Sequence, residues 1–176
     1  ELLQTYFLPD DQWCRDMGTP ERLGVVERYL NDQENIARAR AHPKPIDTIL
    51  IDRDGTLNVH DMKRHAGHVI KPEELQLLAG AAQGIRLFKD AGMRVFVLTN
   101  QPGIARGLYD LETLEAIHEK LEAEIAAEGD GATVDGIYFS PFHPETEHEG
   151  GVRQYRRASD CRKPGIGMIM QVVDEH

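Results

Sequence analysis

The chain has 176 residues, which is enough for one globular domain with a hydrophobic core. Acidic residues outnumber basic ones by 30 to 20, and the formal net charge of −10 argues against nucleic acid or an anionic membrane as the main partner. Only two cysteines and no apolar run of membrane length occur, so neither a disulfide framework nor a membrane span is expected, and a reducing, cytoplasmic location is predicted.

Residues 1–45 predict an N-terminal arm and linker that precede the main domain. Within the segment WCRDMGTPERLGVVERYL, Thr19 suits the N-cap of a helix and Pro20 suits its first position. The charged stretch ARARAHPKPID follows, and its two prolines are typical of a linker. A domain boundary is therefore expected at residue 46.

From Ile46 onward the pattern changes to alternating strands and helices. Three apolar segments predict strands, namely TILID, MRVFVLTN and VDGIYFS. Three amphipathic segments predict helices, namely AAQGIRLFKDAG, DLETLEAIHEKLEAEIAAEG and PGIGMIMQVVDE. This alternation is typical of a parallel sheet covered on both faces. Residues 46–176 are thus predicted to form an α/β domain, a Rossmann-like three-layer sandwich with a mostly parallel central sheet.

The helical segments also predict which side chains face the core. In the first helix we expect Ile85, Leu87 and Phe88 to point inward. The second helix is expected to be capped by Asp110 and to end at Gly129. The apolar stripe of this second helix comprises Leu111, Leu114, Ile117, Leu121 and Ile125.

Polar side chains follow each predicted strand at the point where it ends. Because ligands collect at the carboxyl ends of parallel strands, we expect these side chains to converge. In chain order they are Asp52 and Asp54, then Thr99, Asn100 and Gln101, then Arg162 and Lys163.

Asp52 and Asp54 pose the central chemical question. Two acids at alternate positions lie on the same side of an extended chain, where they repel each other. A divalent cation relieves that repulsion, and Mg²⁺ prefers oxygen ligands. With a lysine, a threonine and an asparagine nearby, the acids predict a phosphoryl-transfer site with a nucleophile, an acid, a metal and oxyanion donors. The alternative is a turn with a helix cap, because Asp-Gly, here Asp54-Gly55, is a common turn pair.

The motifs resemble those of a known family. DRDGT, VFVLTNQPGIARG and CRKPGIGM are similar to the first three motifs of the haloacid dehalogenase (HAD) phosphatases. Within that family, DRDGTLN, TNQPGIARG and CRKP resemble the heptose 1,7-bisphosphate phosphatases and the related histidinol-phosphate phosphatases. The resemblance covers about residues 46–176 and implies a HAD-like fold.

The resemblance implies a role for each matching residue. Asp52 would be the nucleophile and Asp54 the acid and base, while Thr99 and Lys163 would hold the transferring phosphoryl group. Mg²⁺ would be held by an Asp52 oxygen and the Asp54 backbone carbonyl. The implied substrate-binding residues are Asn100, Gln101, Arg106 and Arg162.

Two departures from the family pattern accompany the match. The family completes its metal site with a fourth acidic motif, whereas this chain ends at His176 inside a predicted helix, so a C-terminal truncation of the domain is expected. The subfamily often carries structural zinc on two Cys-containing motifs. The corresponding positions here are Ser140, Phe142, Ser159 and Cys161, so no zinc is predicted.

The function implied by the resemblance is Mg²⁺-dependent hydrolysis of a phosphorylated sugar, in particular D-glycero-D-manno-heptose 1,7-bisphosphate, as in heptose and lipopolysaccharide biosynthesis. Histidinol phosphate is an alternative substrate, and a catalytically silent HAD-like domain is an alternative from another class. The segment around Thr19 also resembles the end of sugar-phosphate nucleotidyltransferases, which implies a possible fused transferase.

Overall fold

The computed structural model describes residues 7–8, 12–13, 47–144 and 151–176. The chain separates into two compact units, Glu1–Pro45 and Ile46–His176. In the first unit, strand β1 pairs antiparallel with strand β2, and Phe7 lies opposite Trp13. The bounds of these strands are Phe7–Leu8 and Gln12–Trp13. The predicted helix near Thr19, the predicted linker and the transferase-like segment fall almost wholly outside the described residues.

The second unit contains a parallel sheet in the order β3-β4-β5, and the predicted α/β fold is confirmed. Its strands are β3 (Thr48–Ile51), β4 (Arg94–Asn100) and β5 (Gly136–Ser140). Its helices are α1 (Ala81–Asp90), α2 (Leu111–Glu128) and α3 (Gly167–Glu175), with 3-10 turns at His65–Gly67, Pro72–Glu74 and Arg153–Tyr155. Ile51 lies opposite Val97 and Asn100 opposite Ser140, so the carboxyl ends of the strands share one edge.

Helices cover both faces of this sheet. Val97 points into a core cluster with residues of α1 and α2. Its neighbours Phe96 and Leu98 point the other way and pack against Met168 and Val172 of α3. Opposite directions for successive residues follow from the pleat of a strand. Each large apolar side chain buried in this way contributes about 1.5–3 kcal/mol.

Helix α2 follows its predicted pattern closely. Asp110 caps it by accepting a hydrogen bond from the backbone N–H of Thr113 at 2.8 Å. The buried stripe consists of Leu114, Ile117, Leu121 and Ile125. The remaining predicted member, Leu111, is exposed, so the buried stripe begins one turn later than predicted. None of the described helices is both long enough and apolar enough to span a bilayer.

Two further burial predictions are wrong. Leu87 was expected to face the core but is 68% exposed, because it lies about 200° around the helix from the buried Ile85. The apolar segment TILID would be buried in a sheet that is covered on both faces, but Leu50 is exposed. Within the described residues β3 pairs only with β4, so it is an edge strand whose side chains are less covered than those of β4.

Candidate active site

The candidate site lies at the carboxyl edge of the sheet. Asp52 directly follows β3, and Thr99 and Asn100 are the last two residues of β4. Lys163 lies on the loop between β5 and α3. Because the three strands are parallel, these positions meet at one edge, as the sequence predicts.

Asp52 and Lys163 form the most direct contact of the site. Lys163 Nζ lies 2.7 Å from Asp52 Oδ1, although 111 positions separate the two residues. The Lys163 ammonium also donates to the backbone carbonyl of Leu98 at 2.8 Å, which fixes its direction. The Asp52 side chain is 47% exposed, so a ligand can reach it from solvent.

Asn100 fixes the backbone of the loop that carries Lys163. Its Nδ2 donates to the Lys163 carbonyl at 3.1 Å, and its Oδ1 accepts from the Lys163 N–H at 2.9 Å. This pair of hydrogen bonds joins β4 to the loop across 63 positions. Asn100 therefore positions Lys163, whereas its predicted contact with substrate stays a prediction.

Asp54 is held in a buried hydrogen-bond network. Arg53 Nε and Nη2 donate to Asp54 Oδ1 at 3.1 and 3.0 Å, and Nη2 also reaches Oδ2 at 3.1 Å. Asn58 Nδ2 donates to Oδ1 at 3.2 Å. From β4, Thr99 Oγ1 lies 3.4 Å from Oδ2. The carboxylate is thus bound by its own loop and by the neighbouring strand.

The pKa of Asp54 lies below its usual value of 3.8. Burial alone would raise it, but the Arg53 charge and the hydrogen bonds from Arg53, Asn58 and Gln101 outweigh burial. Asp54 is therefore ionised in this structure and can accept a proton.

The chain turns sharply just after Asp54. Gly55 has a φ of 83°, in the left-handed region that glycine adopts without strain. Its N–H donates to the Asn58 carbonyl at 2.8 Å, and Leu57 N–H donates to the Arg53 carbonyl at 2.8 Å. This turn directs Arg53 inward and leaves Asp52 at the surface.

Gln101 lies beneath the site. Its side chain is 1% exposed, and its Nε2 donates to Asp54 Oδ2 at 2.7 Å and to Thr99 Oγ1 at 2.8 Å. Tyr109 donates its hydroxyl proton to Gln101 Oε1 at 2.6 Å. The predicted substrate contact of Gln101 stays a prediction, because all the contacts described for its amide are to protein groups.

The two predicted substrate-binding arginines lie on separate loops. Arg106 Nη1 is 3.2 Å from His68 Nε2, and its Nη2 is 3.4 Å from His143 Nε2. Burial and the Arg106 charge lower the pKa of His68, which favours a neutral imidazole that can accept from Arg106. Arg162 Nη1 donates to the Phe142 carbonyl at 3.3 Å.

Three residues of the site were not predicted as functional. Arg53 is fully buried, Asn58 is fully buried, and Tyr109 is 8% exposed. The sequence did contain a signal for Arg53, because it stands between two acids at the end of an apolar strand. No local pattern distinguishes Asn58 or Tyr109 from ordinary loop residues.

The donor set of the site fits Mg²⁺. Asp52 offers a carboxylate oxygen on an exposed side chain, and Asp54, two positions further on, has a backbone carbonyl oxygen. Mg²⁺ binds such hard oxygens, usually through one or two carboxylates together with waters and the phosphate of a substrate. The Asp54 carboxylate is directed to Arg53, Asn58 and Gln101, so the expected metal ligand at this residue stays its backbone carbonyl, as the resemblance implies.

The positions that would carry zinc in the subfamily have other neighbours here. The ring of Phe142 packs edge-on against that of Tyr155, with the ring centroids 5.6 Å apart. The guanidinium carbon of Arg157 lies 4.6 Å from the centroid of the Phe142 ring. Ser140 is fully buried and Cys161 is a free thiol. Residues 47–144 and 151–176 contain no group of three or more His, Cys, Asp or Glu placed to hold a metal. The expected absence of zinc stays a prediction.

The fold and this combination of paired acids, threonine and lysine are similar to those of the HAD-like phosphatases. Comparison with solved structures confirms the resemblance. D,D-heptose 1,7-bisphosphate phosphatase from B. bronchiseptica, complexed with magnesium and phosphate, matches with a TM-score of 0.60 and 33% identity, over 74% of this chain and 63% of that chain. A HAD-like phosphatase from Mesorhizobium loti matches with a TM-score of 0.60 and 27% identity, over 76% of this chain and 58% of that chain.

The curated proteins of similar sequence include phosphatases of one particular kind. The D-glycero-beta-D-manno-heptose-1,7-bisphosphate 7-phosphatases of Photorhabdus laumondii and Escherichia coli K12 are both 34% identical, over 74% of this chain and 63% of each relative. The D-glycero-D-manno-heptose-1,7-bisphosphate 7-phosphatase of Thermosynechococcus vestitus is 36% identical, over 76% of this chain and 64% of the relative. This chain therefore spans less than two thirds of the length of these relatives. No protein-family model matches it.

Proposed function

We propose that the protein is a Mg²⁺-dependent phosphomonoester hydrolase whose substrate is a phosphorylated sugar, D-glycero-D-manno-heptose 1,7-bisphosphate. The observation that carries this proposal is the 2.7 Å contact between Lys163 Nζ and Asp52 Oδ1 at the carboxyl edge of the sheet. The substrate is supported by the relatives named as heptose bisphosphate 7-phosphatases. The metal is supported by a similar structure that contains magnesium and phosphate.

Asp52 is the proposed nucleophile. A carboxylate oxygen attacks phosphorus, the bond between phosphorus and the sugar oxygen breaks, and an aspartyl-phosphate forms. The exposure of the Asp52 side chain leaves room for this approach. Lys163 places a positive charge where the phosphoryl oxygens gather, and Thr99, at the end of β4, supplies a hydroxyl beside the acids.

Asp54 is the proposed acid and base. In the first half of the reaction its protonated carboxyl donates to the departing sugar oxygen. In the second half its carboxylate takes a proton from the water that attacks phosphorus and releases Asp52. The proton gained from water is the one donated in the next cycle. A phosphate dianion next to Asp54 opposes the lowered pKa of this carboxyl and favours the protonated form that the first half needs.

Asp52 and the backbone carbonyl of Asp54 are the groups that would hold Mg²⁺. The bound ion supplies positive charge that offsets the repulsion between the Asp52 carboxylate and an incoming phosphate. A contact of Asn100 with the rim of the phosphoryl group is part of the same proposal, as are contacts of Arg162 and Arg106 with the distal part of the substrate. A cytoplasmic location and a fused nucleotidyltransferase remain predictions from the sequence.

Asp52→Asn tests the proposal directly. An amide oxygen is a poor nucleophile, so we expect phosphate release from heptose 1,7-bisphosphate with Mg²⁺ to fall to the uncatalysed background. We also expect the fold to survive, because exposed charge pairs contribute only about 0–1 kcal/mol. Phosphate release measured beside circular dichroism melting separates the two effects.

The matched control is Asp47→Asn. Asp47 lies at the opposite end of β3, where it accepts from Thr48 and contacts Arg94. We expect this variant to keep full activity. Turnover by Asp52→Asn equal to that of the control would remove Asp52 as nucleophile. Higher activity on histidinol phosphate than on heptose bisphosphate in the unaltered protein would overturn the proposed substrate.

A further inference from the structure

The Gln101 amide links the buried Tyr109 to Asp54, the proposed acid and base. Gln101 Oε1 accepts from the Tyr109 hydroxyl at 2.6 Å, while its Nε2 donates to Asp54 Oδ2 at 2.7 Å. Gln101 is 1% exposed and Tyr109 is 8% exposed, so solvent does not readily replace either hydrogen bond.

The contacts with Asp54 and Tyr109 hold the Gln101 amide at both of its ends. A carboxylate can only accept, so Asp54 needs the NH₂ end of Gln101. The reversed amide would place two acceptor oxygens at hydrogen-bond distance from each other. The Tyr109 hydroxyl donates to the oxygen end and thereby anchors the amide in the orientation that Asp54 requires.

The ring of Tyr109 is itself held in place by packing. It packs with Ile104 and Leu114 in a small buried cluster. Gly103 is required beside it, because a Cβ at that position would collide with the Tyr109 ring. Burial raises the pKa of Tyr109, so its hydroxyl keeps the proton that it donates to Gln101.

The bonds from Arg53 and Asn58 do not hold Asp54 against the neighbouring strand, and the Thr99 hydroxyl does so only at the longer distance of 3.4 Å. Arg53 and Asn58 belong to the same loop as Asp54, so they move with it. Gln101 follows β4 directly and is also tied to Thr99, so it holds the carboxylate relative to the neighbouring strand. The distance between the acid and the phosphoryl-binding groups depends on that cross-strand tie.

We propose that Tyr109 is a positioning residue for Asp54 that acts through the Gln101 amide. This inference rests on the proposed function of Asp54 as acid and base. Tyr109 touches neither substrate nor metal in this scheme. Its hydroxyl anchors the Gln101 amide, and the amide holds the Asp54 carboxylate in place relative to Thr99 and the phosphoryl group.

Tyr109→Phe isolates the hydroxyl, because the ring and its packing are kept. We expect kcat on heptose 1,7-bisphosphate to fall roughly 10- to 100-fold with KM unchanged, since small displacements of a catalytic group cost that much. The matched control is Tyr138→Phe, which removes a hydroxyl bond of the same 2.6 Å length, to Glu175 at helix α3. This control should leave kcat unchanged.

A second pair of variants tests the path through Gln101. Gln101→Leu alone should lower kcat, and adding Tyr109→Phe to it should cause no further loss, because the hydroxyl then has no amide to orient. Independent, multiplying losses would overturn the proposal. So would an unchanged kcat in Tyr109→Phe while the unaltered protein is active.

A crystal structure of Tyr109→Phe tests the inference without using activity. We expect the Gln101 amide, without its anchor, to shift and the bond between Nε2 and Asp54 Oδ2 to be lost. An unmoved Gln101–Asp54 contact would overturn the positioning role even if the proposed hydrolase activity were absent. A moved contact in a protein without activity would count against the proposed function only.

Discussion

At the scale of single residues, Arg53 and Asp54 form an ion pair directly behind the proposed nucleophile. The Arg53 side chain is fully buried, and its Nη2 lies 3.0 Å from Asp54 Oδ1. A buried charge that loses its partner is strongly destabilising, because the remaining charge is neither hydrated nor neutralised. Asp54 therefore has a structural role beside its proposed chemical one, whereas the exposed Asp52 does not.

Asp54→Asn should for this reason destabilise the protein much more than Asp52→Asn. We expect the free energy of unfolding to fall by about 3 kcal/mol for Asp54→Asn, since Arg53 keeps an uncompensated charge. Asp52→Asn should change it by about 1 kcal/mol or less. Urea unfolding followed by circular dichroism measures both. Equal stabilities of the two variants would show that Arg53 is neutralised by another group.

At the scale of elements, the inner face of α2 combines four apolar residues with one histidine. His118 is 8% exposed, and its ring centroid lies 5.7 Å from that of Phe139 on β5. Burial first, and then the Arg53 charge, lower its pKa to about 3, against a small opposing effect of Asp54. The imidazole is thus neutral in the fold at all but strongly acidic pH.

The His118 shift predicts that acid weakens the fold between pH 6.5 and about 3. In that window the unfolded chain binds a proton at His118 and the folded chain does not, so stability falls as pH falls. One such group contributes a slope of up to about 1.4 kcal/mol per pH unit. His118→Gln should flatten this slope, while His60→Gln, at an exposed position, should not. The measurement is the urea midpoint of unfolding from pH 7 to pH 4. If stability depended on pH equally steeply in His118→Gln and in the unaltered protein, the prediction would be contradicted.

The elements also show how far the sequence predicts the site. Asp52, Thr99 and Lys163 could be placed together because parallel strands end at one edge, whatever their separation in the chain. Arg53 and Tyr109 could not be placed in this way. The direction of the Arg53 side chain depends on the turn at Gly55, and that of Tyr109 depends on packing against α2, and neither follows from the spacing of apolar residues in the sequence. Leu87 shows the same limit, since apolar character alone does not decide which face of a helix is buried.

At the scale of the whole molecule, the proposed cation site lies at one point on the surface of a chain of net charge −10. Asp52 and the Asp54 carbonyl come from one loop, but the lysine beside them comes from position 163. Binding there must stabilise the folded chain and not the unfolded one, because the unfolded chain does not bring these groups together. Ligand binding of this kind raises stability by mass action, by about 2.7 kcal/mol at a concentration one hundred times the Kd.

Mg²⁺ should therefore raise the melting temperature of the protein, and more so in the presence of inorganic phosphate. The effect should be lost in Asp52→Asn, which removes the carboxylate ligand, and kept in Asp47→Asn, which has the same charge change elsewhere on β3. A zinc-selective chelator should leave the melting temperature of all three proteins unchanged, because Phe142 and Ser159 provide no thiolate. Differential scanning fluorimetry measures each shift. An equal Mg²⁺ shift in Asp52→Asn would place the ion elsewhere, and a large drop with the chelator would reveal a structural zinc site held by other ligands.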